Sequence, residues 1–98
     1  MFKIKLSNIP NQSFEFMYDN KTFTVQLRTI QNMTFASIFL DGEALLHSQI
    51  CTPNNFINLH KYISVGGKFY FKCVDNEYPY YKNFNASQEL LFYTEEEL

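Results

Sequence analysis

Residues 22–30 read Thr22-Phe23-Thr24-Val25-Gln26-Leu27-Arg28-Thr29-Ile30, and their alternation decides the fold. Phe23, Val25 and Leu27 fall on one side of an extended chain, and Thr22, Thr24, Gln26 and Arg28 on the other, as in a strand with one buried face. β-Branched and aromatic residues fill the stretch, which favours strand over helix. Residues 34–40 form a second such run and stop at Asp41-Gly42, the strongest hairpin signal in the chain. Residues 43–51 are the predicted return strand.

The same period extends in both directions. Phe2, Ile4 and Leu6 alternate with Lys3 and Lys5; residues 7–12, with Pro10 and its amides, form a turn; Phe14, Phe16 and Tyr18 then share a face opposite Glu15 and Met17. Asp19-Asn20-Lys21 and Gln31-Asn32 are further reversals, built from residues that tolerate turn geometry. Residues 52–58, with Pro53 and three Asn, read as a loop, and 59–65 as a short strand or extended coil. Gly66 and Gly67 are predicted turn residues, like Asp41 and Gly42. A strand follows over 68–74, then a turn at Asp75-Asn76. Pro79 keeps residues 78–84 out of any central strand. A last strand covers 88–93, and 94–98 is an acidic tail.

Turn signals recur about every 8–12 residues, with no helical stretch long enough to cover a sheet. The expectation is an all-β protein: one domain over residues 1–98, a small antiparallel barrel or sandwich of about seven to eight short strands. Eleven Phe and seven Tyr in 98 residues supply large apolar side chains, so the core needs no staple. Cys51 and Cys73 form no CxxC pair and are expected to be reduced, buried thiols. The formal charge of −2, with Lys and Arg scattered singly and no basic stripe, speaks against a surface for specific nucleic-acid recognition. No run approaches the length of a membrane span, and the alternating start is unlike a secretory leader, so synthesis in a cytoplasm is expected.

The chain offers little that could do chemistry. His47 and His60 lack an HExxH partner, and a zinc site from Cys51, Cys73, His47 and His60 would lack the close ligand pairs such sites use. Gly66-Gly67 has no GK[ST] continuation to make a phosphate loop. Asp19, Asp41 and Asp75 sit in turns, where solvated turn chemistry explains them better than a catalytic carboxylate pair. Four Asn-x-Ser/Thr sequons, at Asn11, Asn20, Asn32 and Asn85, reflect an Asn-rich composition. No cofactor, metal site or catalytic residue is expected, and the protein is read as not an enzyme.

Residues 78–84, Tyr78-Pro79-Tyr80-Tyr81-Lys82-Asn83-Phe84, stand out. A small domain has limited room inside for so many rings. Some of them cap the core, or Tyr78, Tyr80, Tyr81 and Phe84 form a protein interface, where Tyr is enriched. An aromatic platform for a glycan or oligonucleotide is the alternative.

Taken in order, the pieces resemble a known family. They are Ile4-x-Leu6-x-x-Ile9-Pro10-Asn11-Gln12; Val25-x-Leu27-Arg28-Thr29; Phe35 through Phe39; Leu40-Asp41-Gly42-x-x-Leu45-Leu46; Ile50-Cys51-x-Pro53-Asn54; Gly67-x-Phe69-x-Phe71; Asp75-x-x-x-Pro79-x-Tyr81-x-x-Phe84; and Leu90-Leu91-x-Tyr93. The ordered set resembles the small baseplate plug family of contractile-tailed bacteriophages over nearly the whole chain. Asn32-Met33 and Ser48 stand where glycines would be expected, Ser37 where an acidic residue is common, and Cys73-Val74 where a polar turn approach is usual. The resemblance implies a virion structural role without catalytic residues. The plug would sit in the tail baseplate hub, closing the distal end of the tail tube. Its partners would be tube, hub or spike proteins, with a homo-oligomer also open.

Overall fold

A computed structural model describes residues 1–57 and 66–97. It contains eight strands: β1 (Phe2–Ile4), β2 (Asn11–Tyr18), β3 (Lys21–Ile30), β4 (Met33–Leu40), β5 (Glu43–Ile50), β6 (Asn55–Phe56), β7 (Gly67–Cys73) and β8 (Gln88–Thr94). They form two antiparallel four-stranded sheets, ordered β2-β3-β4-β5 and β1-β8-β7-β6. Three residue pairs connect the first sheet as a meander: Asp19-Asn20, Gln31-Asn32 and Asp41-Gly42. Every one of these residues has positive φ. Turns of that hand match the twist of the flanking strands, which is why Asp, Asn and Gly mark them.

The alternation places Phe23, Val25, Leu27, Ala36 and Ile38 of the meander in the core, facing Ile4, Phe69, Phe71, Leu90 and Phe92 of the second sheet. Rings join the layers. Phe23 lies 5.6 Å from both Phe69 and Phe92, and Phe16 lies 5.0 Å from Phe92, in the edge-on and tilted geometries aromatic pairs prefer. The architecture is therefore the sandwich rather than the barrel.

Several local expectations need correction. The presumed loop at 52–58 contains β6, which pairs Asn55 with Phe71 and Phe56 with Tyr70. β2 begins at Asn11, inside the segment read as a turn, and Lys21 already belongs to β3. Thr94 closes β8, and Glu95–Glu97 make a single 3-10 turn. Residues 59–65, whose conformation the sequence left open, and His60 among them, lie outside the described residues, as does Leu98.

Gly66 and Gly67 part company. Gly66 has φ +93° at a bend, whereas Gly67 is the first residue of β7, paired with Thr94. There it provides space. A Cβ would stand 2.6 Å from Cζ of Phe92 and would overlap the Tyr93 carbonyl oxygen.

β5 departs from simple alternation. Its partners on β4 run Ala36↔Gln49, Ile38↔Leu46 and Phe39↔Ala44, so β5 carries two more residues than the strand it faces. These bulges let the adjacent Leu45 and Leu46 both pack on the core. The second bulge leaves Ser48 at φ 50°, its N–H donating to Ser37 Oγ at 2.9 Å. Asn32, at φ 64°, and Ser48 are two of the positions where the family resemblance led us to expect glycine. Both have the left-handed backbone that glycine adopts most readily.

The connections fall at two ends. One end carries Asp19-Asn20, Asp41-Gly42, Gly66 and residues 95–97, tied together by the Glu95 N–H donating to the Gly66 carbonyl. The other carries residues 7–10, Gln31-Asn32, 52–54 and 74–87.

Candidate interaction surface

Residues 78–84 are held in place by side chains remote in sequence. Gln88, fully buried at the start of β8, donates from Nε2 to the Tyr78 carbonyl (2.9 Å) and accepts at Oε1 from the Tyr80 N–H (2.7 Å). The Thr34 hydroxyl donates to the intervening Pro79 carbonyl at 2.7 Å. Asn8 Nδ2 donates to the carbonyls of Tyr81 and Phe84, each at 2.9 Å, and Asn85 exchanges hydrogen bonds with the backbone of Leu6. The proline that cannot join a sheet is thus fixed by side chains that satisfy the backbone on either side of it.

This framework sorts the four predicted interface aromatics. Phe84 is only 2% exposed and stacks on Phe71 at 5.8 Å, so it belongs to the core and not to the surface. Tyr81 is half-buried against the core. Tyr80 lies 4.7 Å from it, ring to ring, and its hydrogen bond with Tyr81 raises the Tyr80 phenol pKa. Tyr78 projects outward, 48% exposed.

Tyr78 has exposed apolar neighbours that sequence reasoning did not single out. Ile9, Ile30, Met33 and Val74 all lie at this end of the sandwich, and Ile30 and Met33 face one another across the β3–β4 turn. The hydrogen bond from Thr34 to Pro79 ties the start of β4 to residues 78–84. The opposite end exposes the acids Asp19, Asp41, Glu43, Glu95, Glu96 and Glu97, together with the apolar Met1, Phe2 and Met17. Acids are the more numerous there, against Asp75 and Glu77 at the end that carries Tyr78.

Replacing Gln88 by Leu should cost about 2 kcal/mol, because it strands a part-buried acceptor and a part-buried donor. Denaturant unfolding measures the loss, and hydrogen exchange at the Tyr80 amide should accelerate with it. A cost under about 0.5 kcal/mol would show that Gln88 does not hold the segment.

Among the described residues no cluster of His, Cys, Asp and Glu is arranged to hold a metal ion. His47 is exposed on β5. Cys51 and Cys73 are free and buried. Burial, and secondarily the neighbouring Cys73, push the Cys51 thiol up to about 12; burial also raises Cys73. At pH 8 the Cys51 thiolate fraction is then about one in ten thousand. A disulfide reagent should leave the native protein unmodified at that pH and titrate both thiols once guanidinium unfolds it. Stoichiometric reaction of the native protein would contradict this.

Among known protein families, a family model described as the cyanophage baseplate Pam3 plug gp18 matches residues 1–96. No curated protein matches the chain.

Proposed function

This chain belongs to the cyanophage baseplate plug family, and from that premise we propose that it closes the distal end of a phage tail tube, seated in the baseplate hub by the end that carries Tyr78. Membership makes it a structural component of the phage tail baseplate. The family match over residues 1–96 carries this conclusion. The finer reading, that Tyr78, Tyr80, Met33, Ile30 and Ile9 dock on a tube, hub or spike protein, draws support from their placement at one end of the sandwich and from the hydrogen-bonded framework beneath residues 78–84. An ordered surface loses little entropy on docking, and desolvated Tyr is frequent at the centres of contacts. A structural family also supports reading the protein as non-catalytic. The glycan or oligonucleotide alternative at residues 78–84 loses one of its four rings with Phe84.

Mass spectrometry of purified virions from the phage that encodes this chain should find the protein. Tyr78→Asp should reduce its incorporation about tenfold or more, because a carboxylate would be buried in an apolar contact, while Glu96→Gln at the acidic end should not. Tyr78 is exposed, so the variant should keep wild-type stability to within about 0.5 kcal/mol. Absence of the protein from virions would refute the baseplate role, and full incorporation of the Tyr78→Asp variant would refute the docking surface.

A further inference from the structure

We infer that the outer face of the β1-β8-β7-β6 sheet binds single-stranded nucleic acid without base-specific recognition. The sequence shows no basic stripe, but the registers create one. Lys68, Tyr70 and Lys72 alternate with the core residues of β7 and point away from it, as do Glu89, Leu91 and Tyr93 on β8. Lys3 pairs with Leu91, Lys68 with Tyr93, Lys72 with Glu89, and Phe56 with Tyr70, so these side chains share one surface. Lys5 continues the outward side of β1. Four lysines and one acid, Glu89, give this face a charge of +3 in a chain whose total is −2.

Rings occupy the middle of the lysines. Phe56, Tyr70 and Tyr93 form a triangle with centroids 5.0, 5.8 and 5.9 Å apart, each half-buried, resting beside the buried Leu91. Lys68 Nζ stands 5.9 Å from the Phe56 centroid, and Lys3 Nζ reaches Glu89 at 3.4 Å. Beyond Lys3 and Lys5 an open depression of about 330 Å³, lined by those two lysines and Asn85, extends the positive surface. Lysines take phosphates, and aromatic faces take bases of any identity; the two together on one sheet favour a polynucleotide over an acidic protein, which would need the lysines but not the rings. The acids at 95–97 border the Lys68 side, so the strand's path runs over the rings toward Lys72, Lys3 and Lys5. The molecule is 22 Å across its thinnest dimension, beyond the screening length of about 10 Å at ordinary salt, so charges on the far sheet do not cancel this face.

The surface adjoins the end that carries Tyr78 through Asn85 but uses none of its exposed apolar residues, so its test leaves the baseplate reading untouched. The probe is a fluorescein-labelled oligothymidylate of about twenty nucleotides, followed by anisotropy against salt. Binding should weaken with salt with a log–log slope of magnitude about 2–3, as neutralising about three to four phosphates requires. Lys72→Glu, at an exposed position, should weaken binding about tenfold and lower the slope by about 0.7 for each phosphate left unneutralised. Tyr70→Ala should weaken it about tenfold at unchanged slope, and Tyr78→Ala should change neither. No binding at about 50 mM salt would overturn the proposal. So would equal binding of polyglutamate, or oligothymidylate binding indifferent to Lys72→Glu.

Discussion

Phe92→Ala is expected to remove about 3–5 kcal/mol of stability, the cost of truncating a fully buried Phe. Phe92 has no exposure and touches rings from both layers: Phe16, Tyr18 and Phe23 from the meander, Phe2 and Phe69 from its own sheet. No other ring has as many aromatic neighbours among the described residues. Its removal opens a cavity where the sheets meet, and neither rigid sheet can collapse into it. For a domain of this size the melting temperature should fall by about 15–30 °C. Denaturant unfolding at 25 °C gives the energy directly. Phe92→Leu, which keeps most of the volume, should cost well under half as much. A loss below about 1 kcal/mol for the alanine variant would mean that the sheets are not held together through this ring.

Gly67→Ala should cost about 2–3 kcal/mol, the usual penalty for forcing a methyl into a filled site. Its backbone is extended, so the added methyl meets no conformational strain. The obstacle is space, since the Phe92 ring covers one side and the Tyr93 carbonyl of the paired strand the other. A ring can shift, but a carbonyl in a β-ladder can move only with its strand. Combining Gly67→Ala with Phe92→Leu should therefore recover part of the Gly67→Ala penalty, never all of it. At Gly66 the reverse holds, because a Cβ there has its nearest neighbour 3.4 Å away and the cost is conformational, set by φ +93°. Equal stability of the Gly67→Ala variant and the wild type would contradict the packing described.

The two sheets were largely legible in the sequence because period-two burial is a local signal and each of three hairpin turns carries Asp, Asn or Gly. What stayed hidden depends on contacts between distant residues. Gly66-Gly67 reads as a turn, yet the requirement at Gly67 comes from Phe92 and Tyr93, on a strand far along the chain. Pro53 and the surrounding Asn mask β6, and its pairing with β7 is invisible locally. The bulges had a signal that could have been used: Leu45 and Leu46 are adjacent and both apolar, which a strand with one buried face does not allow without an extra residue. Asn8, Asn85 and Gln88 look like turn composition or strand ends, but they are the clamps of the candidate surface. Gln88 was the most readable of them, a lone amide opening the apolar run Leu90-Leu91-Phe92. The lysines of the outer sheet face are single in sequence and adjacent only through β1–β8 and β7–β8 register, so no basic stripe can be read along the chain.

The most direct test is electron cryo-microscopy of the intact virion. The account predicts density for two stacked four-stranded sheets at the distal end of the tail tube, with Tyr78, Met33 and Ile30 buried against a neighbouring protein and residues 95–97 away from that contact. A baseplate whose density has no place for this sandwich, or one in which the Tyr78 end faces solvent, would contradict it.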